Sequence, residues 1–342
     1  MSAESLRFLS NFDTLFSKNI PHILDKIFLS LDYESYKNCL EVSNDWRGLL
    51  TSESYKTRGR SVYKEEILED QIKLKVAAEE NNTVEARGLL SSGMVDVNCK
   101  DDNKLTPLHK AAAKGHGQVA QLLLEKGASP NALDGHMQTP LHWTAMWGHT
   151  EMARLLIEYG ALIMMYDNWG RTALHWAARH GHKDLAQLLV ESGAEPNVTG
   201  EREGGRTPLH WAGKNDHKQI CKLLIENGAD PNVVDEQRQT PLHYAATSGN
   251  IKVAQILIEN GADPNAANVE GRTPIFNAAE EGRREVAQLL IENGADLDIR
   301  GEDGYTPLDW AAMYGSGSGV FQLLFKHMYP HEATDESSDD DE

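Results

Sequence analysis

The sequence predicts an all-α repeat protein in which helix pairs stack into a solenoid, and three observations lead to this fold class. A four-residue phrase, Thr-Pro-Leu-His or a close variant, recurs along the chain. Its spacing is nearly constant, with one step of 35 residues among steps of 33. Two stretches of helical periodicity follow each copy, and units of this size can bury their apolar faces only by stacking. The phrase begins at Thr106, Thr139, Thr172, Thr207, Thr240, Thr273 and Thr306.

The unit that begins at Thr172 shows why each element is expected. Thr172 is placed as the N-cap of a first helix, and His175 at its third position can reach back to that cap. Gly181 ends this helix, and Gly193 ends a second helix of leucine-rich periodicity. The segment from there to the next phrase is called the finger below. The expected unit is therefore a helix pair followed by a short β-hairpin finger.

These units resemble the ankyrin repeat. TPLHWAA, the GH dipeptide and LLIENGADPN are near the consensus of that family, and the resemblance covers residues 71–329. It implies about eight repeats, because residues 71–98 fit a first unit that lacks the phrase. The last unit has Asp309 in place of the usual histidine and Ser316 in place of the GH histidine, as expected of a terminal capping repeat.

The segment before the repeats has a helical pattern of its own. Apolar residues from Ile20 to Leu31 recur at steps of three and one, which places them on one face of a helix opened by Pro21. Asp32 can cap a second helix, and Trp46 falls in a third. So short a unit rarely stabilises itself, so its apolar stripe is expected to contact a partner or the end of the solenoid.

The string IPHILDKIFLSLDYESYKNCLEVSNDWRGLL in this segment resembles the F-box. It departs from that motif at Ile20, where leucine is usual, and at Ser43-Asn44, where Cys-Arg is commoner. The resemblance implies docking on the Skp adaptor of a Skp–cullin–F-box ubiquitin ligase, whereas the alternative is a helical cap on the first repeat. The docking residues that it implies are Pro21, Leu24, Ile27, Phe28, Leu31, Cys39, Val42 and Trp46.

The expected layout has five parts. They are an N-terminal segment (1–18), the F-box-like segment (19–55), a helical connector (56–70), the ankyrin repeats (71–329) and an acidic tail (330–342). A stiff connector would fix the angle between the two modules, and a flexible tether is the competing possibility. The tail is expected to be disordered, with phosphorylation of Ser337 or Ser338 by an acid-directed kinase as the minority alternative.

Charge and cysteine content restrict the function classes. The net charge is −19, which disfavours nonspecific binding to nucleic acid or anionic lipid. Cys39, Cys99 and Cys221 show no CxxC spacing and are read as buried thiols of a reducing compartment. The N-terminus lacks the features of a secretory signal, and the longest central apolar stretch is too short to cross a bilayer. A monomeric protein of the cytoplasm or nucleus is expected.

No pattern predicts catalysis, a cofactor or a metal site. The phrase histidines lie on successive first helices, about 8–10 Å apart, whereas two nitrogens on one zinc ion lie within roughly 4 Å of each other. They are therefore interpreted as capping residues. The sequence contains no nucleotide-binding glycine loop, nucleophile elbow or isolated carboxylate pair, so we expect that the protein is not an enzyme.

Aromatic residues concentrate in three consecutive units and suggest a target-binding surface. The position after the phrase histidine and the position four residues later share one face of the first helix. In ankyrin folds that face lines a concave groove, and large exposed aromatic side chains are favoured interface anchors. The alternative is that each tryptophan packs partly against the next finger. The predicted target-binding residues are Trp143, Trp147, Trp169, Trp176, His180 and Trp211.

Together these features predict a two-part adaptor. The F-box-like segment would bind a Skp-type adaptor and, through it, a cullin scaffold, while the ankyrin groove would hold a protein that is to be ubiquitinated. The alternative is an ankyrin scaffold or inhibitor that sequesters a protein partner without any ligase.

Overall fold

The computed structural model describes residues 67–91, 95–200, 202, 204–314 and 319–330, which form sixteen helices. These residues belong to two compact units that divide after Cys99. The F-box-like segment, with all eight of its predicted docking residues, lies outside the described residues, as does the tail from residue 331 onward. Of the predicted connector, only residues 67–70 are described, and they are helical.

The first unit contains one helix pair in its described part. Helix α1 covers residues 67–79, and helix α2 spans Thr83–Ser91. Asn82 caps α2, because its side chain accepts a hydrogen bond from the backbone N–H of Glu85 and donates one to the Glu85 carboxylate. Leu74, Ala77 and Ala86 are fully buried, so this pair contributes a packed apolar face.

The second unit repeats the helix pair seven times, in agreement with the predicted all-α fold of paired helices. The first helices are α3 (Pro107–Lys114), α5 (Pro140–Trp147), α7 (Ala173–His180), α9 (Pro208–Lys214), α11 (Pro241–Ser248), α13 (Pro274–Glu280) and α15 (Pro307–Met313). The second helices are α4 (Gly117–Glu125), α6 (Thr150–Glu158), α8 (Lys183–Glu191), α10 (Lys218–Glu226), α12 (Ile251–Glu259), α14 (Arg284–Glu292) and α16 (Val320–Met328).

Packing in this unit runs between neighbouring repeats. Each first helix contacts the next first helix, and each second helix contacts the next second helix, which gives two layers of helices. The phrase leucines fill the space between the layers, as Leu174 and Leu209 do with almost no exposed surface. Alanine pairs such as Ala177-Ala178 are fully buried, so the first helices can approach closely.

The fingers are tight turns, and no strand occurs in the part of the chain that the structure describes. The finger that precedes Thr172 shows the pattern. The backbone N–H of Asp167 bonds to the carbonyl of Arg171, and the N–H of Asn168 bonds to the carbonyl of His136 in the preceding finger. One backbone hydrogen bond across the base of a finger and one to the adjacent finger are too few to form a β-ladder. Within the described ranges, an isolated antiparallel bridge occurs only in the finger with two extra residues, between Gly200 and Arg206.

Candidate protein-binding surface

The phrase histidines join neighbouring repeats, which confirms their interpretation as capping residues. Nδ1 of His175 accepts a hydrogen bond of 3.1 Å from the backbone N–H of Thr172, the N-cap of the same helix. Its Nε2–H donates to the carbonyl of Arg206, 3.1 Å away at the end of the next finger. Burial lowers the pKa of His175 to about 4, so the ring is neutral at pH 7. Both nitrogens are used, and the side chain is unavailable to a partner.

The GH histidines make a second connection between repeats. Nε2 of His182 donates to the carbonyl of Met146, 3.1 Å away in the last turn of α5, where helical carbonyls lack intrahelical partners. The ring lies against Gly148, which ends α5 with φ at 78°. A β-carbon at that glycine would come within 2.5 Å of the ring. This close approach explains why the dipeptide needs glycine at this position.

Three aromatic side chains at the position after the phrase histidine are bonded to the finger that precedes their helix. Nε1–H of Trp176 donates to Oδ2 of Asp167 at 3.1 Å, and Nε1–H of Trp143 donates to Oδ2 of Asp134 at the same distance. Tyr244 makes the equivalent contact through its hydroxyl, which donates to Oδ2 of Asp235 in the finger before its helix at 2.7 Å. These three rings therefore hold fingers against helices, but each is bonded to the finger before its helix and not to the next finger that the alternative named.

Arginine side chains cover the buried Trp176 and Trp211. The guanidinium carbon of Arg171 lies 4.0 Å from the ring centroid of Trp176, and that of Arg179 lies 4.5 Å from the ring centroid of Trp211. Such stacking is favourable because the cation faces the negative face of the ring. Only 8% of Trp176 and 7% of Trp211 is exposed. A partner could touch little more than an edge of either ring.

Asp167 is the centre of the finger that precedes Thr172. Its carboxylate is fully buried and forms an ion pair of 3.0 Å with Arg171, of which 6% is exposed. It also accepts backbone hydrogen bonds from Trp169 and Arg171. Burial alone would raise the pKa of this carboxyl, but the hydrogen bonds and charge of Arg171 outweigh it and hold the pKa below its usual value. The aspartate is ionised and holds Arg171 over both Trp169 and Trp176.

The exposed part of the first-helix face is the position eight residues after each phrase threonine. We call these seven residues the row. Trp147 is 56% exposed and His180 is also exposed, so these two predicted target-binding residues lie in the row. Trp143 and Trp169 are half-buried beside it. The row consists of Lys114, Trp147, His180, Asn215, Ser248, Glu281 and Tyr314.

The row changes charge along its length. Its N-terminal part begins at Lys114, and the side chains of Arg179 and Lys214 lie beside it at the ends of α7 and α9. Partial burial lowers the pKa of His180, and electrostatic interactions with Arg179, His182 and His217 lower it further. The aromatic members of the row were predicted from the sequence, whereas these cations were not. Reading charge along the same helical position would have found them.

Asparagine side chains of the fingers form a second series of contacts between repeats, which the sequence did not lead us to expect. In most repeats an asparagine of the finger binds the next repeat: Asn232 donates to the carbonyl of Gly261 and accepts from the N–H of Asp263. Met164 occupies this position in its repeat and cannot make either bond. The Gly-Ala-Asp-Pro-Asn run carried the signal, because its asparagine recurs with the repeat period.

The described residues carry few features of other kinds of site. No group of three or more His, Cys, Asp or Glu side chains there is placed to hold a metal ion. A surface recess of about 410 Å³ lies between α12 and α14 and is lined by Arg284 and Glu285 among others. Burial raises the pKa of Cys221 to about 12, so this thiol is unreactive. No helix in the described part of the chain is long and apolar enough to span a membrane.

The fold and the exposed row define a helical repeat protein with an open binding surface. Comparison with protein-family models identifies the repeats. The model "Ankyrin repeats (3 copies)" matches residues 133–200, 199–268 and 263–335, and "Ankyrin repeats (many copies)" matches residues 89–142. The chain belongs to the ankyrin-repeat family. Proteins of this family are generally non-enzymatic interaction scaffolds, and membership implies that the stack binds a protein partner.

Individual relatives match parts of the chain. "Ankyrin repeat domain-containing protein 49" of Homo sapiens is 42% identical over 57 residues, which are 17% of this chain and 24% of that protein. The Bos taurus protein of the same name matches equally, so the chain spans about a quarter of the length of these relatives. Among solved structures, the crystal structure of the human ASB11 ankyrin repeat domain is similar, with a TM-score of 0.60 and 30% identity. That similarity covers 65% of this chain and 97% of the other.

Proposed function

We propose that this protein is the substrate-recognition adaptor of a Skp–cullin–F-box type ubiquitin ligase. In this proposal residues 19–55 dock on the Skp adaptor, residues 56–70 connect, and the repeats of residues 71–329 hold the protein that is to be ubiquitinated. The observation that carries the proposal is the combination of an F-box-like string with a repeat stack that leaves one helix face open to a partner. A binding surface without such a string would suggest a scaffold alone.

The proposed work of the protein is to bring two others together. It breaks no bond itself, and it raises the effective concentration of the target at the site of ubiquitin transfer. Trp147 and His180 are the predicted target-binding residues with the most accessible surface. Trp143, Trp169, Trp176 and Trp211 contribute edges and hold the fingers beside them. The docking residues remain those implied by the F-box resemblance, from Pro21 to Trp46.

Co-purification tests the ligase part of the proposal. The tagged full-length chain is co-expressed with a Skp protein and a cullin, and both are expected to be recovered with it. Ile27→Asp/Phe28→Asp should abolish this recovery, because two carboxylates would be placed on the apolar docking stripe. Trp147→Ala is the matched control, since it alters the row and should leave Skp recovery unchanged.

The result also separates the two functions that the sequence left open. If the wild-type chain recovers neither protein, the ligase adaptor is excluded and the protein is an ankyrin scaffold or inhibitor. If Trp147→Ala loses Skp as completely as the docking variant, the division of labour between the two parts is wrong.

A further inference from the structure

The charge of the first-helix face and fingers is unevenly distributed, although the protein as a whole is strongly acidic. In residues 133–148 and 166–181 the acids are Asp134 and Asp167, and both are buried. Of the Lys and Arg in these two ranges, Arg171 is buried and Arg179 is partly exposed. The first helices of this N-terminal half, α3, α5, α7 and α9, contain no acid and carry Lys110, Lys114, Arg179 and Lys214, although the fingers before α3 and α9 also hold Asp101, Asp102, Glu201 and Glu203. The matching residues 267–282 and 300–315 have the opposite balance, with six acids against Arg272 and Arg300.

The cations of the N-terminal half surround the one exposed tryptophan of the row. Lys114 lies one repeat before Trp147, Arg179 lies one repeat after it, and Lys214 lies two repeats after it. The depressed pKa of His180, to which neighbouring Arg179 contributes, agrees with a positive potential at this place. An anionic ligand would relieve that repulsion, whereas a cationic ligand would increase it.

We propose that the part of the row from Lys114 to Asn215, with the adjoining Arg179 and Lys214, binds an acidic peptide segment of the partner protein, with an apolar side chain on Trp147 and carboxylates facing the flanking cations. This inference rests on the proposed function, because it names the chemistry of the segment that the adaptor would recognise. Charge complementarity selects this occupant, and the acidic residues around Glu281 exclude it from the C-terminal half of the row.

The repeat spacing sets the spacing of the segment. First helices stack at about 8–10 Å, and an extended chain advances about 3.3 Å per residue, so roughly three residues pass each repeat. The segment therefore has a carboxylate about three residues before its apolar side chain. Two further carboxylates follow, at about three and six residues after it, to face Arg179 and Lys214.

A defined peptide tests the inference on the purified full-length chain. The probe is fluorescein-labelled Glu-Gly-Ser-Phe-Gly-Ser-Glu-Gly-Ser-Glu, prepared also in reverse order because the direction of binding is open, and binding is followed by fluorescence anisotropy. One of the two should bind at least tenfold more tightly than its counterpart with glutamine for glutamate. Raising the salt from about 50 to about 300 mM should weaken it severalfold, because exposed charges are screened.

Two matched variants localise the binding. Lys114→Glu/Lys214→Glu should weaken the peptide at least tenfold, whereas Lys218→Glu/Lys252→Glu reverses the same number of charges on the second helices and should have no effect. Trp147→Ala should weaken the phenylalanine peptide and leave the affinity of a serine-for-phenylalanine peptide unchanged. Circular dichroism establishes that each variant is folded.

Four outcomes would overturn the inference. They are equal binding of the glutamine peptides, equal loss in the two charge-reversal variants, equally tight binding of a ten-nucleotide thymidine oligomer, and a tenfold gain when the chain is shortened to Pro330. The third would indicate a general polyanion site, and the fourth would show that the chain's own acidic tail is the occupant. Because no Skp or cullin is present, failure here leaves the co-purification result standing, and failure of co-purification leaves the peptide site standing.

Discussion

Replacing Asp167 with alanine would remove the central hydrogen-bond acceptor of the finger that precedes Thr172. The substitution leaves the guanidinium of Arg171 buried without its ion-pair partner and Nε1–H of Trp176 without an acceptor. Breaking a buried pair by removing one partner costs about 3–5 kcal/mol. The two lost backbone hydrogen bonds of the turn add about 1 kcal/mol each where water cannot replace them. We expect the free energy of unfolding to fall by about 4–6 kcal/mol.

A matched substitution separates the buried pair from the turn. Asp101 accepts the same two kinds of backbone hydrogen bond, from Asn103 and Leu105. Its cationic neighbour Lys110 is 3.7 Å away, and about a quarter of each side chain is exposed, so that pair contributes at most about 1 kcal/mol. Asp101→Ala should therefore cost only about 1–2 kcal/mol.

Urea unfolding followed by circular dichroism measures both variants, and calorimetry checks whether the stack unfolds in one transition. Removing both charges in Asp167→Ala/Arg171→Met should recover about 2 kcal/mol or more relative to Asp167→Ala, because no uncompensated charge stays buried. The reasoning fails if Asp167→Ala costs no more than Asp101→Ala, or if the double variant is less stable than the single one.

Two further predictions concern the connections between repeats. Gly148→Ala should destabilise the protein by about 1–3 kcal/mol more than Gly160→Ala in thermal unfolding. Both glycines have positive φ, but an added β-carbon would contact His182 at Gly148 and nothing within 4 Å at Gly160. Equal losses of stability in the two variants would contradict the close-approach argument. The pKa of His175 is about 4 when folded and 6.5 in the unfolded chain, so its contribution to stability is complete above about pH 6.5 and declines as the pH falls towards 4. Urea unfolding between about pH 7.5 and 5 should show this decline, with a smaller one in His175→Gln, whose amide can still cap the helix; equal stability at both pH values would refute it.

The repeat period and its capping residues could be predicted because they depend on local sequence and on nearest neighbours. Thr172 and His175 lie three residues apart, and the same pair recurs in successive units, so one repeat stands for the others. The form of the fingers was less predictable. The ankyrin resemblance implied a short β-hairpin, whereas each described finger makes too few cross-bonds for strands.

The accessibility of the aromatic residues could not be predicted from their spacing. Trp143 and Trp147 share a helix face by sequence, but Trp143 is half-buried and bonded to Asp134, while Trp147 remains open. Burial of Trp211 depends on Arg179, which comes from the preceding repeat. Such contacts follow from side-chain directions across repeats, which a one-dimensional pattern does not contain.

By itself the sequence determined that this chain is a stack of helix pairs, since units of 33 residues with small buried faces are stable only against copies of themselves. The tertiary structure alone decided which residues of that stack a partner can reach. It placed Arg171 and the Asp167 carboxylate on Trp176 and placed Arg179 on Trp211, and it left Trp147 exposed. Exposure is set by the neighbours that pack around a side chain, and those neighbours lie about 30 residues away along the chain.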